Sequence, residues 1–214
     1  MRVYHFLNER YGLEAISNKT LKVSRLKSLN DPFEYYHIDT ENYGTRSILK
    51  ERLNHANREL GIICFSRNYT SPAQWAHYGD SHRGICLGFD IPDSELFDIE
   101  YVERRTEGKE FKNSLDLKGM QYIKYMLSKK HEHWKYEQEV RMLVPFPEKI
   151  MDERLMFVPF AEKFSLREIM LGVRCATSAK KIKSYLGQGR GCVQVYKMEM
   201  SKTEYEIQLP EVLS

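Results

Sequence analysis

Two carboxylates and a guanidinium stand at alternate positions of the segment WKYEQEVR, Trp134 to Arg141. In extended chain successive side chains face opposite ways, so Glu137, Glu139 and Arg141 would share one face while Tyr136, Gln138 and Val140 take the other. The apolar run Met142-Leu143-Val144 follows and predicts a strand that continues into a core. Three charges on one face of an inner strand are costly unless they pair, bind something charged, or line a wet cleft. A Glu–Arg pair on a solvated sheet edge is the plain alternative.

Other residues able to do chemistry are scattered. His5 sits beside Tyr4 on an apparent first strand, where a histidine is most often structural. Ser66 ends the apolar run GIICFS, Gly61 to Ser66, at the kind of strand end where many folds present a polar contact. In QWAHYGDSHRG, Gln74 to Gly84, helical spacing places Gln74, His77 and Tyr78 on one face and Trp75 on another. Such aromatics after a Ser/Thr-rich loop suit a flat ring such as nicotinamide or adenine, or simply pack a helix on a sheet. No metal site is expected: His77 and His82 are five apart, and the HEH of His131 to His133 lacks a third ligand. GQGRG, Gly187 to Gly191, lacks the spacing and Lys-Ser/Thr of a phosphate loop and reads as a turn.

The elements that must position these residues are short. Strands are predicted over Arg2 to Phe6, Leu21 to Ser24, Gly61 to Ser66, Gly84 to Phe89, Asp98 to Val102, Trp134 to Val144, Phe157 to Phe160 and Val193 to Met198, with LREIMLG leading into Val173. Helical spacing covers Tyr11 to Ile16, residues 46–60 and Ala179 to Leu186. A short helix at Ala73 to Tyr78 would have Ser71 as N-cap and Pro72 at its first position. Lys112 to Lys130 reads as a helix with Leu117, Met120, Ile123 and Leu127 inward and lysines outward. LNDPFE, Leu29 to Glu34, is a turn. With no regular βαβ rhythm, the class is α+β: a small, curved, mixed, mostly antiparallel sheet with surrounding helices. One domain over 1–214 is expected, with a helical segment near 112–133.

Composition sets bounds. The chain has 214 residues, 42% hydrophobic and 12% aromatic, enough for one core, and 29% charged. A net charge of +3 neither requires nor excludes a nucleic-acid partner. Cys64, Cys86, Cys175 and Cys192 form no CxxC pair, which favours a reduced, cytoplasmic protein. No stretch approaches transmembrane length and the N-terminus lacks the apolar core of a signal peptide, so no membrane association is expected.

Four segments taken together, VYHF at the start, LNDPFE, CFS with QWAHYGDSHRGICLGF, and WKYEQEVR, resemble a bacterial and phage family filed as a domain of unknown function. The resemblance runs from about Tyr4 to Gly172. Such domains are in turn distantly similar to the ADP-ribosyltransferase fold, a split mixed sheet that holds NAD in a cleft. That similarity implies Glu139 as the catalytic glutamate and Glu137 as its partner two residues before. It implies His5 at the adenosine ribose and Ser66 or Tyr78 at the nicotinamide side, with Trp75 and Arg141 bordering the site. Cleavage of the nicotinamide–ribose bond passes through an oxocarbenium-like state that a carboxylate stabilises, while a second carboxylate takes the acceptor's proton. Arg141 would hold one carboxylate ionised. The chain departs from that pattern in lacking a Ser-Thr-Ser stretch after the middle strand, and LNDPFE has no role in it.

The resulting expectation is an NAD-dependent ADP-ribosyltransferase-like toxin or phage-defence effector with a nucleic-acid or protein acceptor, NAD as substrate and an antitoxin as a conceivable partner. Lys112, Lys118, Lys124, Lys129 and Lys130, interleaved with Tyr122 and Tyr125, would suit RNA or DNA. The alternatives are a metal-dependent nuclease using Asp31, Glu34, Glu137 and Glu139, and a non-catalytic binding module.

Overall fold

The computed structural model describes residues 1–39, 41–107, 111, 114, 116–147, 155–160, 164–186 and 193–210. The chain opens with β1 (Arg2–Leu7), then α1 (Glu9–Asn18), whose first turn is capped by the Asn8 side chain accepting from the Tyr11 amide, and β2 (Thr20–Arg25). Helix α2 (Tyr43–Glu59) buries Leu49, Leu53 and Ala56, one stripe at spacings of four and three, and passes directly into β3 (Leu60–Ser66). Helix α3 (Pro72–His77) has the expected start: Ser71 accepts from the Gln74 amide and Pro72 takes the first turn. Next come β4 (Ile85–Asp90), β5 (Phe97–Asp98), β6 (Glu100–Val102), α4 (Gly119–Leu127) and β7 (Lys129–His131). The remaining elements are β8 (Glu139–Pro145), β9 (Met156–Pro159), β10 (Ser165–Leu171), α5 (Ala179–Leu186), β11 (Gln194–Lys197), β12 (Glu199–Met200) and β13 (Ile207–Gln208).

The fold is α+β around an open, mixed, mostly antiparallel sheet. Its strand order is β11-β10-β4-β1-β3-β2-β9, and β8 joins β3 and β5 off that path. Among the described strands of this sheet only β10 and β11 run parallel. The β1–β3 junction is the weak seam. Strand β1 pairs with β4 along its whole length, but meets β3 at the single pair Tyr4 and Ser66. Beyond that pair the Cys64 carbonyl has no ladder partner from β1; the His5 ring nitrogen Nδ1 takes it instead at 2.8 Å.

Alternation along β8 separates two environments. Val140, Met142 and Val144 face the main core with Val3, Phe65, Leu87 and Phe89. Arg141 and Leu143 point the other way, toward the layer formed by α2 and α4, where Leu49, Leu53, Tyr122 and Met126 pack. Register sets Glu139 opposite Ser66 and Arg141 opposite Cys64.

Several expectations are corrected. WKYEQEVR is not one strand: Glu132 to Glu137 form a 3-10 turn, Gln138 is left-handed (φ 43°), and the strand starts at Glu139. Tyr136 and Gln138 therefore do not alternate with the glutamates. The predicted strand over Asp98 to Val102 is two, β5 and β6, in different sheets. The long helix to Lys130 ends in α4 at Leu127, and its inward face is wider than predicted: Leu127 is buried and Leu117 and Ile123 pack on the core, but Tyr122 and Met126 are buried with them while Met120 is exposed. Among the described residues the lysines do not share one solvated face: Lys118 is exposed, Lys124 and Lys129 are half-buried and Lys130 is buried. Tyr122 is buried under the Arg52 guanidinium, and Lys112 lies outside the described residues, as do Gly187 to Gly191 and Cys192. No helix among the described residues is long and apolar enough to cross a membrane.

Candidate functional site

Where the β1–β3 ladder stops, a cavity of about 130 Å³ opens. Its walls include Tyr4, His5 and Phe6 from β1 and Cys64, Phe65 and Ser66 from β3, the residues that further pairing would have joined. Leu29, Asn30 and Glu34 of the LNDPFE turn close one side, and Gln74, Tyr78, Lys130, Glu137 and Glu139 complete it.

Beneath the cavity lies a buried ionic cluster of three carboxylates and two cations. Arg141 is 0% exposed and spends every N–H: Nε and one Nη on Glu139 (2.7 and 2.9 Å), both Nη on Glu34 (2.9 and 2.7 Å), and one on the Leu127 carbonyl (2.9 Å). The last bond satisfies a carbonyl left open at the end of α4. Lys130 Nζ lies 2.6 Å from Glu137, 3.1 Å from Glu139 and 3.4 Å from Glu34, with the Trp134 ring over it at 4.7 Å. Strand alternation in β7 turns Lys130 inward between half-exposed Lys129 and His131. Charges this deep are tolerable only when so fully paired.

The two glutamates of the E-x-E pair differ in what they have left to offer. Burial alone would raise the Glu139 carboxyl, but the Arg141 guanidinium and then the Lys130 ammonium overcome it and hold it at about 2. Its oxygens accept two N–H from Arg141 and one from Lys130, which fills three of the four acceptor positions of a carboxylate. Glu137 is pushed up by burial, with the Glu139 charge adding to it, against the opposing pull of Lys130 and the Tyr78 bond. It accepts one bond from Tyr78 Oη (2.5 Å) and one from Lys130 (2.6 Å), so half its acceptor capacity stays open beside the cavity.

Glu137 is placed by its own backbone. Its carbonyl accepts from Ser66 Oγ at 2.6 Å and from Gln74 Nε2 at 2.7 Å, which pins the end of the 3-10 turn against β3 and α3. Tyr78 Oη, donating to Glu137, also accepts from Asn30 Nδ2 at 2.7 Å, and burial first, then Glu137, raises its phenol far above the ordinary value. His5 uses Nδ1 on Cys64, leaving Nε2 as its other ring nitrogen; burial lowers its pKa and keeps it neutral.

The predicted site residues thus separate. His5, Ser66, Tyr78, Glu137 and Glu139 all line the cavity. Trp75 does not: it is 0% exposed, donates Nε1–H to the Tyr69 carbonyl at 2.7 Å and packs edge-on against Phe6, so its ring has no face for a ligand. Arg141 has no donor left for a ligand and acts as the clamp under the glutamates. Sequence reasoning put Lys130 on a nucleic-acid face rather than among the glutamates, and gave Glu34 a place only in the nuclease alternative. The period-two position of Lys130 in Lys129–His131 was the available signal, hidden by extending the helix over it.

Residues 74–142, from α3 into β8, match the family model described as Protein of unknown function (DUF2971). The Trp75-to-Cys86 block and WKYEQEV fall inside that stretch, and LNDPFE outside it. Comparison with curated proteins finds no match, and comparison with solved structures finds none.

Proposed function

We propose that the cavity is a glycosyl-transfer site that cleaves the nicotinamide–ribose bond of NAD, as an ADP-ribosyltransferase does. The observation that carries this reading is the pair Glu137 and Glu139, two residues apart at one cavity and driven toward opposite protonation behaviour. Two carboxylates so divided are the usual equipment for cleaving a glycosidic bond. As the bond breaks, its electron pair leaves with nicotinamide and positive charge develops on the ribose. Three buried carboxylates against two cations leave a net negative site to stabilise it. Glu137, with its raised pKa and open acceptor capacity, is the base that takes the acceptor's proton. Glu139, held ionised by Arg141 and Lys130, acts as a fixed charge, which keeps the division of roles that the resemblance implies.

The cavity is smaller than the about 300–1,000 Å³ of ordinary small-molecule sites, so it takes the nicotinamide riboside end while the adenylate lies outside. The acceptor is a nucleic-acid base or a protein side chain, the activity one suited to a toxin or defence effector. A magnesium-dependent nuclease is poorly supported, because the Lys130 ammonium already occupies the centre of the carboxylates where such an ion would bind.

The test is nicotinamide release from NAD together with the NAD-dependent rise in melting temperature, for wild type, Glu137→Gln and His5→Ala. Release that is lost in Glu137→Gln, with a rise weakened in His5→Ala, supports the site. No release and no rise at millimolar NAD overturns it and favours a binding module with a structural ion cluster. Mass spectrometry of RNA, DNA and protein after incubation with NAD then identifies the acceptor.

A further inference from the structure

Behind the Glu34–Lys130 pair lies a second, larger cavity of about 430 Å³, and those two residues line both spaces. Its chemistry differs from that of the first. Lys129, Arg104, Arg105, His131 and His133 border it, against the carboxylates of Asp31 and Glu34. Both carboxylates are already engaged: Asp31 accepts from the Phe33 amide at 2.9 Å, and Glu34 is held by Arg141. The cations are held more loosely. Arg104 is exposed with no ion pair among the described residues, Arg105 lies over the Phe33 ring at 4.8 Å, and Lys129 has only long contacts, 3.8 Å to Glu100 and 3.5 Å to Thr106 Oγ1.

A second observation is independent of the charges. His37, on the cavity wall and only 5% exposed, has no hydrogen bond of good geometry at either ring nitrogen. Burial, then the Lys129 charge, lowers its pKa to about 4, and a weak bond to the Met126 backbone offsets this only in part. A neutral imidazole buried without a well-formed bond is destabilising, and a ligand that supplies the bond relieves this. The wall around it is fixed: the His37 carbonyl accepts from the Thr106 amide at 2.7 Å, and Asp39 donates back to Thr106 at 3.0 Å.

We infer that this second cavity binds a phosphate ester of a nucleotide, with Arg104, Arg105 and Lys129 neutralising the phosphate and His37 bonding to the bound ester. Arginine's planar fork matches phosphate oxygens in pairs, and exposed Phe33, with half-buried Tyr36 beside it on the wall, adds aromatic surface for a base. The inference does not depend on the glycosyl-transfer reading, since it uses none of the groups assigned to bond cleavage.

The experiment is a titration of the full chain at low salt with inorganic phosphate, adenosine 5′-monophosphate and a short single-stranded RNA, read by calorimetry and by the ring-nitrogen NMR signals of His37. Wild type, Arg104→Gln with Arg105→Gln, and Glu137→Gln are compared. Binding that perturbs His37, weakens by about tenfold or more in the double variant and is unchanged in Glu137→Gln supports the site. Preference for the mononucleotide identifies a free nucleotide, whereas tighter RNA binding with a steeper salt dependence identifies a nucleic acid. No binding by any of the three, or binding unaltered in the double variant, overturns it. The two arginines are exposed, so their replacement leaves the fold intact as a control.

Discussion

Glu34 and Arg141, 107 positions apart, meet in a two-pronged ion pair, Nη to each carboxylate oxygen at 2.9 and 2.7 Å. That contact joins the LNDPFE turn to the E-x-E-x-R segment and gives the first motif its role. Asp31 holds the turn through the Phe33 amide, Asn30 supports Tyr78, and Glu34 docks the loop onto the cluster.

Arg141 is the keystone of that docking, and its planar fork is not replaceable by an ammonium. Arg141→Lys and Arg141→Met should each lose about 3–5 kcal/mol, because the partner carboxylates stay buried without compensation. Urea denaturation measures this directly; a loss below about 1 kcal/mol would show the cluster to be energetically idle.

The two glutamates should separate stability from activity. Glu137→Gln leaves two carboxylates against two cations and keeps an acceptor for Tyr78, so it should cost only about 1 kcal/mol. Glu139→Gln strips Arg141 of its second carboxylate and should cost about 3–5 kcal/mol. Activity, in contrast, should vanish in Glu137→Gln. An inactive but fully stable Glu139→Gln would reverse this assignment.

Apolar runs and helical spacing made the architecture legible because they record burial: β3 and β4 are buried along almost their whole length, and α2 buries Leu49, Leu53 and Ala56 at the spacing that predicts it. The cap of α3 was equally readable, since Ser71 and Pro72 act locally. Around Glu137 the same logic failed. The segment from Glu132 to Glu137 has strand-like alternation, yet tertiary bonds from Ser66 and Gln74 to the Glu137 carbonyl, with a left-handed Gln138, make it a 3-10 turn. The glutamates still converge, by a bend rather than by a shared strand face. Trp75 shows the opposite error: its ring chemistry suits a ligand, but only packing decides which side of α3 faces the core. The pairing of Glu34 with Arg141 depends on contacts across the whole fold, which no local pattern encodes.

Acid should dissect the cluster with a definite sign. The folded Glu139 carboxyl sits at about 2 against an ordinary 4.5, so the folded state binds its proton more weakly than the unfolded state. Its stabilising contribution is complete above pH 4.5 and is lost as pH falls toward 2. Glu137, shifted up, acts in reverse: its contribution is present below the ordinary carboxyl range and is lost as pH rises through its raised value. The stability gap between wild type and Glu139→Gln should therefore shrink as pH is lowered from 4.5 toward 2, measured by urea midpoints. A gap independent of pH would mean that Glu139 is not ionised by Arg141.

Cys64 gives a chemical reading of the same electrostatics. Its thiol lines the cavity, but burial, with the Glu139 carboxylate adding to it, drives its pKa far up against the opposing pull of Arg141. Alkylation needs the thiolate. Iodoacetamide at mildly alkaline pH should therefore modify Cys64 in the native protein at least about tenfold more slowly than in the urea-unfolded chain, where the pKa is ordinary. Glu139→Gln removes the negative neighbour but leaves the burial, so the rate should rise only in part. Peptide mass spectrometry resolves Cys64 from the fully buried Cys86. Native Cys64 reacting as fast as the unfolded chain would mean that the cavity floor is wet, and that Glu139 is screened rather than held in a dry ionic cluster.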